Sequence, residues 1–130
     1  MARQDKATRI WLRVLKGYDT PSFLRGDWML ESVLRTEGYV MNGGVFHAVD
    51  NNKDVEDLLD ADLGYRYFGL GEVADLLREA RSLVESDVDL RPLEAEMDRK
   101  YHELLPGNVL FEKFEAFLRL NESEFAPLKP

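Results

Sequence analysis

Two adjacent glycines, Gly43 and Gly44, constrain the fold of this chain more than any other feature. Glycine loses more backbone entropy on folding than any other residue, and it is the usual residue where φ must be positive. An apolar pattern with helical spacing runs into the pair and ends at Met41, and a second apolar patch at residues 45–49 follows it. Asn42-Gly43-Gly44 therefore predicts the end of one helix and the sharp entry of the next.

Apolar residues recur at every third or fourth position along most of the chain, and this spacing predicts helices. No segment alternates polar and apolar residues convincingly over the length of a strand. Asp27, Pro92 and Asn108 are predicted to cap or open three of the helices. The predicted helices cover residues 5–16, 27–41, 54–63, 69–84, 92–104 and 109–120, with one or two further turns at 45–49. The 130 residues therefore predict an all-α fold, a single compact domain of about six to seven short helices.

Most apolar side chains in these helices are expected to face the core, among them Leu15, Trp28, Leu59 and Leu63. In the first predicted helix, Arg9, Arg13 and Lys16 form a basic stripe opposite the apolar face. Residues 1–20 are therefore expected to be a basic helix that docks on the acidic body of the protein, which holds a helical core at 27–126.

The formal net charge of −8 is distributed unevenly along the chain. Residues 1–26 carry +4, so the other 104 residues carry −12. Binding to phosphate groups needs a basic patch, so the acidity disfavours direct binding of nucleic acid by the main body. An acidic surface instead attracts basic protein partners, although it also simply increases solubility.

Six acidic residues crowd one short stretch of the chain, where only Lys53 opposes them. They are Asp50, Asp54, Glu56, Asp57, Asp60 and Asp62. Glu56, Asp57 and Asp60 share a helix face with carboxylates about 5–6 Å apart, a spacing similar to that of the charges along a nucleic-acid strand. Like charges at this spacing cost a few tenths of a kcal/mol per pair, so folding does not favour the cluster. The cluster therefore predicts either a solvated face or a partner-binding surface. A second acidic group comprises Glu85, Asp87, Asp89, Glu94, Glu96 and Asp98.

Two local patterns resemble ligand or catalytic sites but are incomplete. The stretch that begins at Asp50 is similar to the start of a calcium loop, but Val55 and Ala61 stand where that loop needs Gly and Glu. His47 and Asp50 have the spacing of a His–Asp dyad, but no Ser in an elbow motif and no Cys accompanies them. The sequence therefore predicts no catalytic residue, no metal site and no cofactor.

The sequence also predicts a cytoplasmic protein that does not enter a membrane. No apolar run approaches the ~20 residues that a membrane-spanning helix needs. The first six residues are followed by mixed charge rather than by the apolar region of a secretory signal. The absence of Cys is compatible with a reducing compartment.

Asn42-Gly43-Gly44, followed by an apolar patch and then Asn51, resembles the signature of a bacterial all-helical domain family of largely unknown function. That family includes a DNA-mimic protein. Its signature is roughly N-G-G-F-x-Q-Y-F-x-N, and this chain has Val45, His47 and Ala48 in place of two aromatic residues and Gln. Further similarity lies at residues 63–80, 93–101 and 121–125. The resemblance covers about residues 27–126 and implies an all-helical fold.

The resemblance and the charge together suggest a non-enzymatic interaction protein. Its acidic face, centred on Asp54, Glu56, Asp57 and Asp60, would occupy the basic DNA-binding surface of a protein partner such as a transcription regulator. Family membership alone does not transmit this activity, because function depends on sites rather than on folds.

Two other hypotheses remain open at this stage. One is a small-molecule-binding or enzymatic domain with a pocket near the glycine turn, lined by Asn42, Phe46, His47, Asn51 and Tyr67. The other is a homodimer whose interface would use the aromatic residues Trp11, Trp28 and Phe125.

Overall fold

A computed structural model describes residues 5–52 and 55–129, without the side chains of residues 55 and 56. This part of the chain contains seven α-helices and no strand, which confirms the all-α prediction and the single compact domain. The helices are α1 (Lys6–Lys16), α2 (Arg25–Gly43), α3 (Val45–Asn51), α4 (Val55–Tyr67), α5 (Gly71–Glu85), α6 (Glu94–Leu104) and α7 (Val109–Leu120). Single 3₁₀ turns lie at Thr20–Ser22, Arg91–Leu93 and Glu122–Glu124.

The longest helix, α2, lies at the centre of the fold and packs against α1, α3 and α4. Its residues Leu30 and Val33 are completely buried. Helix α5 packs against α3, α4 and α6, and α7 packs against α1 and the last 3₁₀ turn. Because short connections join most of these helices, sequence neighbours are mostly neighbours in space, as in other small helical domains.

An aromatic cluster fills the space between α1, α4, α7 and the C-terminal segment. Phe114 is fully buried at its centre, and the ring centroids of Trp11, Phe68 and Phe125 lie 5.6–6.1 Å from its own. Aromatic pairs at such distances stabilise a core beyond their buried area. Phe125 is therefore a core residue of a single chain, which contradicts its prediction as a dimer-interface residue. Trp11 packs against the same cluster but is only partly buried, so its place in an interface stays a prediction.

Tyr65 and Tyr101 are the largest fully buried side chains and join α4 to α6. Their hydroxyl oxygens are 2.8 Å apart, and the Tyr101 hydroxyl also donates to the Glu37 carboxylate of α2. Burial raises the pKa of both tyrosines well above its usual value, so both hydroxyls stay protonated and able to donate. Tyr65 and Phe68 are both buried, so neither ring is available on the surface.

A buried ion pair ties α1 to α2 and to the C-terminal segment. Nη2 of Arg13 lies 2.5 Å from Oδ1 of Asp27, and both side chains are at least nine-tenths buried. Arg13 also donates to the carbonyl of Ala126, and Asp27 accepts from the backbone N–H groups of Leu24 and Ala126. Two predictions were wrong here. Arg13 does not lie on the exposed basic stripe, and Asp27 is the third residue of α2 rather than its N-cap.

Several predicted helix boundaries and inward faces also differ from the structure. Helix α4 continues through Gly64 to Tyr67, and a Cβ on Gly64 would lie 2.8 Å from the carbonyl oxygen of Met29 in α2. Helix α5 begins at Gly71 rather than at Gly69, and α6 begins after a 3₁₀ turn that contains Pro92. About half the surface of each of four apolar residues predicted to face the core is exposed, namely Leu15, Trp28, Leu59 and Leu63.

The Asp27→Ala variant is expected to lose about 3–5 kcal/mol of unfolding free energy, because it leaves the buried guanidinium of Arg13 without its counter-charge. Urea denaturation followed by far-UV circular dichroism measures this loss. The matched control is Glu103→Ala, which breaks the exposed Arg99–Glu103 pair on α6 and should cost less than about 1 kcal/mol. Equal losses in the two variants would contradict the role given to the buried pair.

Candidate functional site

The glycine turn between α2 and α3 is held by a carboxylate from a distant helix. Gly44 has φ +94° and ψ 178°, a conformation that residues with a side chain rarely adopt. Its N–H donates to the carbonyl of Val40, and the next N–H, of Val45, donates to Oδ1 of Asp98 at 2.8 Å. A Cβ on Gly44 would lie 2.8 Å from Oδ2 of Asp98. The turn therefore needs glycine both for its backbone angles and for the approach of Asp98.

The two asparagines and the histidine of the motif lie around this turn. A Cβ on Gly43 would lie 2.5 Å from the ring of His47, so the ring packs over the end of α2. The amide nitrogen of Asn51 lies 2.8 Å from the His47 carbonyl and 3.1 Å from its ring Nδ1. No hydrogen bond joins His47 to Asp50, both of which the structure describes. The motif therefore organises the turn and holds the His47 ring, rather than forming the His–Asp dyad.

A cavity of about 410 Å³ opens beside this turn, within the usual size range of ligand sites. Its polar lining includes His47 and Asp50 from α3 and Glu94 and Asp98 from α6. Its apolar lining comprises Val45, Phe46, Val84 and Leu90, and the glycine pair completes the wall. The cavity thus combines carboxylates from two helices with an apolar surface.

The predicted pocket residues are only partly brought together here. Phe46 and His47 line the cavity, but Asn42 and Asn51 do not. Tyr67 lies elsewhere, where its ring packs 4.4 Å from that of Phe117 and its hydroxyl donates to Glu124. Sequence reasoning missed Glu94 and Asp98 as members of this site. They stand about 50 positions away, and no local pattern connects them to the turn.

The acidic stretch predicted as a partner-binding face is partly neutralised. Asp62 accepts hydrogen bonds from both Arg66 and Arg78, with ion-pair distances of 3.2 and 2.7 Å. Burial alone would raise the pKa of Asp62, but the bonds from the two arginines outweigh it and hold that pKa below its usual value. Asp62 therefore presents little free charge. The i,i+4 spacing of Asp62 and Arg66 in the sequence is itself typical of such an ion pair.

A second part of this stretch gathers around Arg35 of α2. Its guanidinium lies 2.8 Å from Glu31 and 3.7 Å from Asp57. Burial raises the pKa of Glu31, and the charges of Asp57 and Asp60 add to that rise while Arg35 opposes it. Glu31 therefore shares one acidic patch with α4, although it was not among the predicted residues. A groove of about 220 Å³ runs here between Glu31, Asp60 and the half-exposed Trp28.

The remaining predicted acidic residues differ in how far the structure describes them. Asp50 and Asp60 are exposed, and neither has an ion-pair partner among the described residues. Asp54 lies outside the described residues, as does the side chain of Glu56, and the fourth and fifth positions of the calcium-like stretch lie there too. In residues 5–52 and 55–129, no three His, Asp or Glu side chains are grouped so that they could hold a metal ion.

Three Gly→Ala variants separate the two reasons for glycine at the turn. Gly44→Ala should cost about 2–4 kcal/mol of unfolding free energy, because it combines backbone strain with displacement of the Asp98 carboxylate. Gly69 has φ +78° with open space around it, so Gly69→Ala should cost only about 1–2 kcal/mol. Gly38→Ala, in the middle of α2 and also in open space, should stabilise by about 0.5–1 kcal/mol.

Thermal and urea denaturation of the three variants measures these differences. Equal costs at Gly44 and Gly69 would contradict the contribution of Asp98, since both positions have positive φ but only one faces a carboxylate.

No helix in the described part of the chain is long and apolar enough to cross a bilayer.

A search for relatives found no match among curated proteins or among solved structures. One family model matches, that of the DMP19-like protein, and it covers residues 25–128, from the first residue of α2 to the C-terminal segment. The match includes the glycine turn, the cavity beside it and the acidic stretch, so this chain belongs to the DMP19-like protein family.

Proposed function

We propose that this protein is a DNA mimic, which binds the basic DNA-binding surface of a partner protein such as a transcription regulator. The observation that carries the proposal is the net charge of −8 in a chain of the DMP19-like family, which includes a DNA mimic. The proposed partner implies a cytoplasmic location. The protein acts without catalysis or a cofactor in this proposal, because occupying the partner's surface is sufficient.

The proposed contact surface is the acidic stretch of α3 and α4, without Asp62. Asp50 and Asp60 are exposed, and Asp57 is only partly offset by Arg35. Asp54 and Glu56 are included because their sequence positions continue the same stretch. Asp62 supports the surface indirectly, since its bonds to Arg66 and Arg78 hold the end of α4 against α5.

Electrostatic complementarity provides the mechanism. Opposite potentials on two surfaces steer the encounter and raise the association rate, and dissolved salt screens this attraction over about 8–10 Å. Carboxylates one helical turn apart are about 5–6 Å from each other, so several of them can face the basic side chains that otherwise contact successive phosphates. Binding to the partner should therefore weaken steeply as ionic strength rises. The partner should not be able to bind this protein and DNA at the same time.

A second candidate function is the binding of a small ligand at the glycine turn. The cavity of about 410 Å³ favours it, because Phe46 and His47 line that cavity as the sequence suggested. The absence of Asn51 and Tyr67 from the lining weakens it. Titration with small cationic compounds, monitored at the amides of the turn, tests this candidate separately from any protein partner.

Replacement of Glu56, Asp57 and Asp60 together by Lys should abolish capture of the partner from the native cell at low salt. The unaltered protein should retain that partner at low salt and release it either at high salt or on addition of duplex DNA. Immobilised protein, stepwise elution and identification of the eluted proteins provide the measurement. Release by DNA is the diagnostic result, because a DNA mimic and DNA compete for one surface.

The control variant carries the same charge change outside α4, with Lys at Glu96, Glu103 and Glu112 of α6 and α7. It should retain most of its partner. Equal loss in both variants would show that net charge alone governs capture. Unchanged capture by the α4 variant would overturn the proposal for this surface.

A further inference from the structure

The cavity beside Gly44 contains more negative charge than the turn uses, because Asp98 holds the turn while Asp50 and Glu94 form no described hydrogen bond with it. We propose that it binds the guanidinium group of an arginine side chain, which the basic surface of the partner protein presents. This inference rests on the proposed function and extends it, because it adds a specific pocket to a general electrostatic attraction. Asp50 connects the two, since it belongs to the acidic stretch and also lines the cavity.

The side chains determine the sign of the charge in this cavity. Helices α2 and α5 end here while α3 and α6 begin here, so the helix dipoles largely oppose one another. Asp98 uses Oδ1 to cap α3, whereas its Oδ2 lies against Gly44 and accepts no described hydrogen bond. Neither Glu94 nor Asp98 forms a described ion pair with a Lys or Arg, and no described Lys or Arg is among the lining residues. Arg91 is near enough to interact with the charge of Glu94, but its guanidinium pairs with Asp89. A cation therefore complements the site.

The apolar part of the lining favours arginine over lysine. Phe46 and Leu90 provide surfaces against which a planar guanidinium and its alkyl stem can pack. A guanidinium is more weakly hydrated than an ammonium group, and its fork of donors can serve two carboxylates at once. Glu94 and Asp98 stand one helical turn apart on α6, a spacing that a single fork can bridge.

The charge of the lining also favours a side chain of a protein over free arginine. The α-carboxylate of the free amino acid would enter a site with Asp50, Glu94 and Asp98, and no described positive group is there to receive it. An arginine within a peptide chain carries no such carboxylate. Asp50 and Glu94 are exposed while Asp98 is half-buried, so a side chain can enter past the first two and reach the third.

Two-dimensional NMR of the full ¹⁵N-labelled chain tests this inference with N-acetyl-arginine amide as the probe. The amides of Gly43, Gly44 and Val45 should shift progressively, with an affinity in the millimolar range. N-acetyl-citrulline amide, the neutral analogue of similar shape, should produce little shift. N-acetyl-lysine amide and free L-arginine should both bind more weakly than the blocked arginine.

Two variants assign the binding to the two carboxylates. Glu94→Gln and Asp98→Asn should each weaken the binding about twofold to fivefold, the loss expected for one partly exposed ion pair. Asp98→Asn keeps an oxygen that can accept from the N–H of Val45, so the turn should stay folded. Glu96→Gln, on the same helix with the same charge change but outside the cavity, should bind like the unaltered protein.

Several outcomes would overturn the inference. Equal shifts with citrulline would show that charge is irrelevant, and equal weakening by Glu96→Gln would show only a general attraction. Free L-arginine binding more tightly than the blocked form would identify a small-molecule site instead.

Capture of the partner is a measurement separate from the NMR titration. If duplex DNA releases the captured partner but the arginine probe does not bind, the arginine pocket is wrong and the DNA-mimic proposal stands. If the arginine probe binds but no DNA-competitive partner is captured, the DNA-mimic proposal is wrong, and with it the assignment of the arginine to that partner.

Discussion

The buried pair of Arg13 and Asp27 connects the two ends of the chain to the central helix. Asp27 accepts from Arg13 of α1, from Leu24 at the start of α2 and from Ala126 near the C-terminus. Removing any one of these donors would leave charge or polar atoms unpaired in a buried site. The pair therefore joins α1 and α2 to the C-terminal segment, in which Phe125 packs against Phe114 of the aromatic cluster.

The charged residues of this protein divide into those that neutralise one another and those that remain available. Arg66 and Arg78 neutralise Asp62, and Arg35 lies between Glu31 and Asp57. An excess of negative charge remains on the surface of α3 and α4 and in the cavity beside Gly44. Paired carboxylates on a surface contribute little stability, so their main effect is to hold side chains in position. The unpaired carboxylates are the ones available to the partner that we propose.

The glycine turn links the fold to the proposed function. The conformation of Gly44 and the contact with Asp98 bring α6 against the start of α3. Gly44 and Asp98 both line the cavity, and α3 leads from the turn to Asp50, the first residue of the acidic stretch. One local constraint on the backbone therefore positions both surfaces that we propose for partner binding.

The sequence by itself determined the helical class, the helix stop at the glycine pair and the excess of acidic residues, because each depends on local spacing and composition. Only the tertiary structure decided which charges are free. Arg13 shares its helical stripe with Arg9 and Lys16, yet it is buried because Asp27 lies opposite it. Likewise Asp98 reaches Gly44 from another helix, and at the end of α4 it is Gly64 that lies against α2 while the neighbouring Leu63 is half-exposed. Such contacts join residues distant in sequence, and no local pattern of one chain encodes them.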